Sequence, residues 1–327
     1  MEVLFIGGTG NISTSVSRLC IKRGIDLFLL NRGTRKVELE GATIIHGDIA
    51  RLETLQSDLA SHQWDVVVDW IAFTEHDVER DINLFRDKTN QFIFISSASA
   101  YQKPPQHPII TESTPLSNPF WQYSRDKIAC EQRLNRAYLE QGFPITIVRP
   151  SHTYDILIPV SIGGGTEYTI IDRMKHGKPV IVHGDGTSLW TLTHAEDFAK
   201  AFVGLLGRRD AIGQSFHITS DESLTWNQIY ETVARAAGCE PKIIHIASEF
   251  IARCEPSLTG NLLGDKSYSV IFDNTKIKQF VPEFKASIPL VDGFRRTLAW
   301  FEADPLRKII RPETEHMMDR ILELYGH

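Results

Sequence analysis

A glycine-rich segment after an apolar run at the N-terminus constrains the fold of this chain more than any other feature. Residues 3–6 predict a buried strand, residues 7–13 read GGTGNIS, and residues 11–23 have the periodicity of a helix. This order points unpaired backbone N–H groups at a phosphate. Gly7 permits the tight turn, and Gly10 has no side chain to block a pyrophosphate. An ordinary turn is the alternative. The segment predicts a dinucleotide site lined by Gly7, Thr9, Gly10, Asn11 and Ile12.

Apolar runs and helical patterns alternate through the first half of the chain. Further strands are expected at residues 26–30, 42–46, 64–70, 92–96 and 144–148, and helices at 76–88 and 121–141. The run Val66–Val68 is apolar on both faces, which is typical of a parallel strand covered by helices on both sides. The alternation predicts the α/β class, with a doubly wound parallel sheet of the Rossmann type.

The pattern loosens after about residue 150. Helices are expected at 166–176, 195–207, 225–238, 288–303 and 312–325, with short strands at 179–182, 214–218 and 242–246. This arrangement is typical of a smaller, mostly helical lobe. We expect a nucleotide-binding domain over residues 1–155 and a substrate-binding lobe over residues 156–327, with late elements from about 179–218 joining the first domain.

The composition excludes several classes of protein. With 42% hydrophobic and 23% charged residues, the chain does not belong to the disordered class. Its net charge of −6 disfavours binding to nucleic acid or to anionic membranes. The four cysteines form no C-x-x-C pair and lie at no metal-ligand spacing, so we expect no metal and a cytoplasmic location. No apolar run approaches the ~18 residues of a membrane span, and no signal peptide is evident.

The end of the second strand bears on the choice of cofactor. NAD sites usually place a carboxylate there to bind the ribose hydroxyls. Here Asn31 and Arg32 take that place, with Arg35 and Lys36 close behind. A guanidinium can clamp the 2′-phosphate of NADP, so the sequence favours NADP over NAD. Asp48 is expected to meet the adenine amino group. A solvated loop charge is the alternative for Arg32, and a capping role the alternative for Asp48.

A serine, a tyrosine and a lysine follow in an order that suits proton transfer beside a nicotinamide. Ser97 ends the fifth strand, and Tyr123 and Lys127 lie four residues apart in the next helix. That spacing puts both on one helix face, where the ammonium is expected to lower the pKa of the phenol. Tyr123 is then the expected general acid or base, Lys127 also binds the nicotinamide ribose, and Ser97 donates to the substrate oxygen. An ordinary amphipathic helix pair is the alternative.

These motifs resemble those of the extended short-chain dehydrogenase/reductase superfamily, in an atypical branch of its NAD-dependent epimerase/dehydratase family. GGTGNIS is similar to the TGxxGxxG loop, ISSASAY to the serine motif, YSRDK to YxxxK, and residues 147–151 to the VRPxxxYG segment. The resemblance covers nearly the full length and implies catalytic roles for Ser97, Tyr123 and Lys127. It also implies that Ala72 and Pro150 lie beside the cofactor.

The substrate lobe departs from the nucleotide-sugar members of that family. Trp190 stands where such members usually carry an arginine that contacts a diphosphate, and residues 264–269 (GDKSYS) replace a second one. A small polar substrate is therefore a better expectation than a nucleotide sugar. Core packing is the alternative for Trp190, and a structural role is the alternative for His152. The candidate substrate contacts are Phe73, Ser97, His152 and Trp190.

Two functions of different classes follow. The first is an NAD(P)-dependent oxidoreductase or epimerase that acts on a hydroxyl or carbonyl of a small polar substrate, including sugar derivatives. The second is an atypical member that binds RNA or senses NAD(P) without turnover, because some relatives in this superfamily, including chloroplast stem-loop RNA-binding proteins, bind RNA. The acidic balance and the complete serine, tyrosine and lysine set favour the enzyme. The resemblance also implies a homodimer through the helix that carries Tyr123 and the neighbouring helix.

Overall fold

The computed structural model describes residues 1–34, 37–51, 59 and 62–326. Its strands are β1 (Glu2–Ile6), β2 (Asp26–Asn31), β3 (Thr43–His46), β4 (Val66–Asp69), β5 (Phe92–Ile95), β6 (Ile109–Ile110), β7 (Ile145–Pro150), β8 (His152–Tyr154), β9 (Pro179–His183), β10 (Leu189–Trp190), β11 (Leu192–His194), β12 (Ser215–Ile218), β13 (Leu224–Thr225), β14 (Lys242–Ile246) and β15 (Ile271–Phe272). Its helices are α1 (Ser13–Lys22), α2 (Glu75–Phe85), α3 (Gln122–Gln141), α4 (Thr169–Lys175), α5 (Ala195–Leu205), α6 (Trp226–Ala236), α7 (Ser248–Cys254), α8 (Thr259–Asn261), α9 (Thr275–Phe280), α10 (Leu290–Glu302) and α11 (Pro312–Tyr325).

A parallel sheet of seven strands forms the centre of the described chain, in the order β3-β2-β1-β4-β5-β7-β12. The prediction of a doubly wound α/β fold is confirmed. Strand order reverses beside β1, and the crevice above such a reversal is where ligands bind in sheets of this class. The first glycine loop and the end of β4 both lie at this crevice.

Both faces of the sheet are covered because successive side chains of β1 point to opposite sides. Val3 and Phe5 pack in one cluster with side chains of α1 and α5, among them Phe198. Leu4 and Ile6 pack in another with side chains of α2 and α3. Burying such side chains contributes roughly 1.5–3 kcal/mol each. These two layers hold the carboxyl ends of the strands in fixed positions.

Outside the central sheet, the described residues form four two-stranded pairings, β9 with β14, β10 with β13, β8 with β11 and β6 with β15. A separate hydrophobic core includes Trp226 and Tyr230 of α6 with Val180 and Val182 of β9. Two of the strands between residues 179 and 218, which were expected to join the first domain, have different partners. The strand β12 pairs with β7 at the edge of the central sheet. The strand β9 pairs in parallel with β14, and its apolar side chains pack with those of α6. The division at residue 155 stays a prediction.

Helix α3, which carries two of the predicted catalytic residues, is fixed at its end and along its length. It ends at Gly142, whose φ of +69° is a conformation that glycine adopts without strain. Cys130 and Leu134 are fully buried against the sheet. Among the described residues, no helix combines the length and apolar character that a transmembrane span requires.

Candidate active site

A cleft of about 750 Å³ opens at the carboxyl ends of the central strands. It follows the crevice beside β1, where the strand order reverses. The predicted cofactor residues that line it are Gly7, Thr9, Gly10, Asn11, Ile12, Asn31, Arg32, Asp48, Lys127 and Pro150. Ala72 is buried behind the wall, and its neighbours Ile71 and Phe73 face the cleft instead.

The glycine loop needs its glycines for two reasons. Gly7 and Gly8 have φ of +98° and +100°, conformations that other residues rarely adopt. A Cβ on Gly8 would lie 2.7 Å from Cδ2 of Leu29, and one on Gly7 would lie 3.2 Å from Cγ2 of Ile71. The backbone can therefore pass close to β2 and β4 only without side chains. The sequence indicated the tight turn at Gly7, whereas the equal constraint on Gly8 is visible only in the structure.

Polar side chains fix the loop and leave the start of α1 open to the cleft. The Ser13 hydroxyl accepts a hydrogen bond of 2.8 Å from the Gly10 amide. The Asn11 amide donates to the Thr153 carbonyl of β8 at 2.9 Å, and its own oxygen is buried without a partner among the described residues. Ile12 precedes α1 and provides no side-chain cap. This cradle fits the phosphates of a dinucleotide, which accept hydrogen bonds from helix N-termini.

The rim of the cleft carries the residues expected to select the cofactor. The Arg32 guanidinium lies 4.0 Å from the Asp48 carboxylate and remains 67% exposed. Asp48 also accepts a hydrogen bond from the Ala50 amide, as a capping residue would. The Asn31 side-chain oxygen accepts from the Gly33 amide at 2.9 Å, so it shapes the turn after β2. Arg35 and Lys36 lie outside the described residues.

Lys127 is buried at the floor of the cleft. Its ammonium donates to the carbonyls of Ala72, at 2.7 Å, and Ile95, at 2.8 Å, which ends β5. The Phe73 ring lies 4.5 Å from the same nitrogen, within the range of a cation–π contact. Burial lowers the pKa of Lys127 to about 8, because the charged form has lost most of its hydration. The lysine therefore titrates close to physiological pH.

Tyr123 behaves differently from the sequence expectation. Burial raises the pKa of its phenol, and a hydrogen bond with Ser97 opposes this rise only in part. The Lys127 ammonium lies 5.9 Å from the ring centroid and is directed at backbone carbonyls. The prediction that Lys127 lowers the pKa of Tyr123 is wrong in this structure. The phenol is protonated at neutral pH.

Ser97 is anchored to α3 through a chain of hydroxyls. Its oxygen lies 2.9 Å from the Ser99 hydroxyl and accepts a hydrogen bond from the Ser99 amide. The Ser124 hydroxyl, next to Tyr123 in the sequence, donates to Ser99 at 2.8 Å. These bonds hold the end of β5 and the start of α3 in register. Ser97 and Tyr123 are thereby kept as neighbours.

A smaller pocket of about 260 Å³ adjoins the cleft and brings together Ser97, Tyr123, His152 and Trp190. Tyr123 and Pro150 line both spaces. Nδ1 of His152 is buried and has no hydrogen-bond partner among the described residues. Trp190 is buried and its ring lies 5.5 Å from that of Trp226, so it both packs in the core and faces the pocket. Phe73 lines the cleft and not the smaller pocket.

Several buried charged groups around the site were not identified from the sequence. Asp69, at the end of β4, accepts from the amides of Ile71 and Ala72 and from Arg80, which lines the cleft. Its position at the end of an apolar strand was the signal that could have identified it. The residue Glu131 forms a buried ion pair of 2.6 Å with Arg149. Three more charged residues line the smaller pocket, namely Lys103, Asp265 and Lys266.

The sequence comparison decides the family. Residues 3–219 match the profile of the NAD dependent epimerase/dehydratase family. The chain belongs to this family. Its fold agrees with that of UDP-glucuronic acid 4-epimerase from Bacillus cereus in complex with UDP-glucuronic acid and NAD. That comparison has a TM-score of 0.73 at 17% identity, and covers 93% of this chain and 99% of the other.

Two curated relatives have names that describe different functions, stem-loop binding for one and reduction for the other. The chain is 28% identical over 261 residues to chloroplast stem-loop binding protein of 41 kDa b from Arabidopsis thaliana. That match covers 75% of this chain and 65% of the relative, so part of the relative's length has no counterpart here. The chain is 25% identical over 295 residues to 2'-dehydrokanamycin reductase from Streptomyces kanamyceticus, with 87% and 80% of the two chains covered.

Proposed function

We propose that this protein is an NAD(P)-dependent oxidoreductase that acts on a hydroxyl or carbonyl of a small polar substrate. The observation that carries the proposal is the position of Tyr123, which lines both the cleft and the smaller pocket. Ser97 lies on the pocket side and Lys127 on the cleft side. A proton donor at the junction of two spaces suits a reaction between a cofactor in one and a substrate in the other.

The glycine loop and the start of α1 would hold the dinucleotide phosphates, and Lys127 would hold the nicotinamide ribose. The glycine cradle and the uncapped start of α1 support the assignment of the phosphates. The bound cofactor would supply or accept the hydride. The chain itself would then contribute a hydrogen bond from Ser97 and a proton from Tyr123.

The protonated phenol favours the reductive direction. Ser97 donates a hydrogen bond to the substrate carbonyl, and Tyr123 transfers its proton to that oxygen as negative charge develops there. Lys127 would stay directed at the carbonyls of Ala72 and Ile95, beside the nicotinamide ribose that it is proposed to hold. The raised pKa of Tyr123 means that the acid is available at neutral pH. The 2'-dehydrokanamycin reductase similarity is in line with this direction.

We propose NADP as the preferred cofactor, on the basis of Arg32. Its guanidinium is exposed at the rim of the cleft, 4.0 Å from the Asp48 carboxylate, and the residues at the end of β2 and just after it, Asn31 to Thr34, include no carboxylate. The family is described by NAD dependence, so the preference needs a direct test. Calorimetric titration with NADPH and NADH provides it, together with mass spectrometry of any nucleotide that co-purifies.

The variant Arg32→Ala separates the two cofactors. Loss of one charge-assisted hydrogen bond costs about 1.5–3 kcal/mol, so NADPH should bind roughly tenfold or more weakly while NADH binding hardly changes. Arg18→Ala, at an exposed position of α1, is the matched control and should change neither. Equal losses for NADPH and NADH, or tightly held NAD in the purified protein, would contradict the NADP preference.

A second candidate function is RNA binding, which the similarity to the chloroplast stem-loop binding protein favours. The net charge of −6 disfavours it, because phosphate contacts require a basic surface. A gel-shift assay with stem-loop RNA at physiological salt distinguishes the two. A retarded band, together with no turnover on a panel of carbonyl compounds, would replace the enzyme proposal.

A further inference from the structure

Two lysines line the smaller pocket although lysine is seldom buried. Lys103 is 4% exposed and Lys266 is 7% exposed. An ammonium removed from water costs several kcal/mol unless a counter-charge or hydrogen bonds replace its hydration. Two buried ammonium groups in the wall of one small pocket therefore indicate that the pocket binds something that compensates their charge. Neither has a role in the proton transfer proposed above.

The two lysines differ in their partners. The Lys266 ammonium donates to Asn261 at 2.6 Å and to Asp265 at 3.1 Å, so its charge is compensated. The Lys103 ammonium forms no hydrogen bond or ion pair with a residue that the structure describes. Burial lowers the pKa of Lys103, the Asp265 carboxylate opposes this in part, and the charge of Lys266 lowers it further. Lys103 is thus a buried cation that shares one nearby carboxylate with Lys266, which forms the direct ion pair with it.

Among the described residues that line the pocket, Asp265 is the single carboxylate against the two lysines. His152 is uncharged, because burial lowers its pKa to about 3. The wall otherwise consists of small polar residues, Tyr123 and apolar side chains that include Trp121 and Trp190. With Asp265 paired to Lys266, the pocket holds one unpaired positive charge in apolar surroundings. Its complement is a molecule with an apolar or ring-shaped body and one negative charge.

We propose that Lys103 is a substrate-binding residue and that the smaller pocket, with Lys266 alongside, binds the carboxylate of a compact acid. The inference rests on the proposed function in one respect, namely that this pocket holds the substrate. A volume of about 260 Å³ lies below the ~300–1,000 Å³ of typical ligand pockets, which favours a small acid. A phosphate dianion would leave one negative charge unpaired in this wall, so a carboxylate fits better.

Matched pairs of probes test this charge selectivity without any need for turnover. Calorimetry on the full chain, with and without NADPH, compares D-glucuronate with D-glucose and cyclohexanecarboxylate with cyclohexylmethanol. Each carboxylate should bind at least about tenfold more tightly than its neutral partner. D-glucose 6-phosphate should bind more weakly than D-glucuronate. Equal binding within both pairs, no binding by either carboxylate, or a preference for the phosphate would overturn the proposal.

Variants assign the selectivity to Lys103. Lys103→Met removes a buried charge and keeps the length of the side chain, so the protein should fold and lose the preference for the carboxylate. Lys285→Met, at an exposed position, should keep it. Undiminished preference in Lys103→Met contradicts the assignment, and the wild-type probe pairs decide the proposal if that variant does not fold. Tyr123→Phe should abolish turnover and retain carboxylate binding, so failure of the catalytic proposal and failure of this one remain distinguishable.

Discussion

Individual side chains at this site are governed by how much hydration they lose on folding. Burial lowers the pKa of Lys127 and raises that of Tyr123, so both changes favour the neutral form. The spacing of the two residues indicated an attractive pair in which the ammonium acidifies the phenol. That interpretation could not include the carbonyls of Ala72 and Ile95, which bind the ammonium. Helix spacing identifies which residues meet, and the surroundings decide their protonation.

The pKa of Lys127 predicts a pH dependence of activity. The lysine is charged below about pH 8 and loses its proton as the pH rises through that value. Lys127 is proposed to hold the nicotinamide ribose, and loss of its charge should weaken that contact, so kcat/KM for NADPH should fall above about pH 8. The pKa of Tyr123 is shifted upward, so the phenol does not produce this limb.

The variant Lys127→Arg identifies the group that titrates. Arginine stays charged throughout this range, so the fall in activity should move to much higher pH or disappear. A limb that stays in place in this variant would show that another group is responsible.

Single residues also show what a linear sequence can reveal about the pocket. Ser97, Tyr123 and Lys127 were identified because each occurs in a recognisable local pattern. Lys103 and Lys266 were not, because they come from distant segments and gain their meaning only from shared burial around one pocket. Burial of a charged side chain is a property of the folded chain and has no local signal.

At the scale of elements, helix boundaries were predicted well where local chemistry sets them. The predicted bounds of α11 coincide with the observed ones, since Pro312 starts the helix and Gly326 ends it. The segments α7, α8 and α9 were missed, and the last two have too few residues for a periodic pattern. The pairing of β9 with β14 could not be predicted, because the apolar pattern of a short strand does not specify its partner.

Two capping boxes allow the contribution of α2 to the cleft to be measured. Thr74 caps α2 with Asp77, and Thr225 caps α6 with Gln228. Substitution of either threonine by alanine should lower the free energy of unfolding by about 1 kcal/mol. Only Thr74→Ala should also weaken NADPH binding, because Phe73 and Asp77 line the cleft.

Urea unfolding and calorimetry measure the two effects separately. Thr225→Ala serves as the matched control for loss of stability without loss of cofactor affinity. Unchanged NADPH affinity in Thr74→Ala would mean that the start of α2 does not shape the site.

At the scale of the whole molecule, buried histidines make stability depend on pH. His183 lies in the second lobe between the Ser161 hydroxyl and the Lys266 carbonyl, each 3.0 Å away. Burial lowers its pKa to about 4, so the folded protein resists its protonation while the unfolded chain does not. The contribution is present above about pH 6.5 and is lost as the pH falls toward about 4.

The expected loss from His183 over that range is about 3 kcal/mol, at 1.36 kcal/mol for each unit of pKa difference. Urea unfolding at a series of pH values measures it. His183→Gln should flatten this part of the pH profile, whereas His176→Gln, at an exposed position, should not. An unchanged profile in His183→Gln would assign the acid sensitivity to other groups.

The expected homodimer is also a property of the whole molecule. The predicted interface is α3 with its neighbour α2. The exposed residues of α3 include Gln132, Asn135 and Arg136, and also Leu139, which is 81% exposed. Sedimentation equilibrium should show a dimer at micromolar concentration. A single species of 37.0 kDa at all concentrations would contradict it.

The central claim concerns proton transfer by Tyr123 to a carbonyl substrate. Its most direct test is the rate of NADPH oxidation with a panel of small carbonyl compounds, carboxylates included, for the wild-type protein and for Tyr123→Phe. We expect turnover by the wild type and a rate roughly 10²–10⁴-fold lower in the variant, with NADPH affinity unchanged. A full rate in Tyr123→Phe, or no turnover by the wild type on any carbonyl compound, would contradict it.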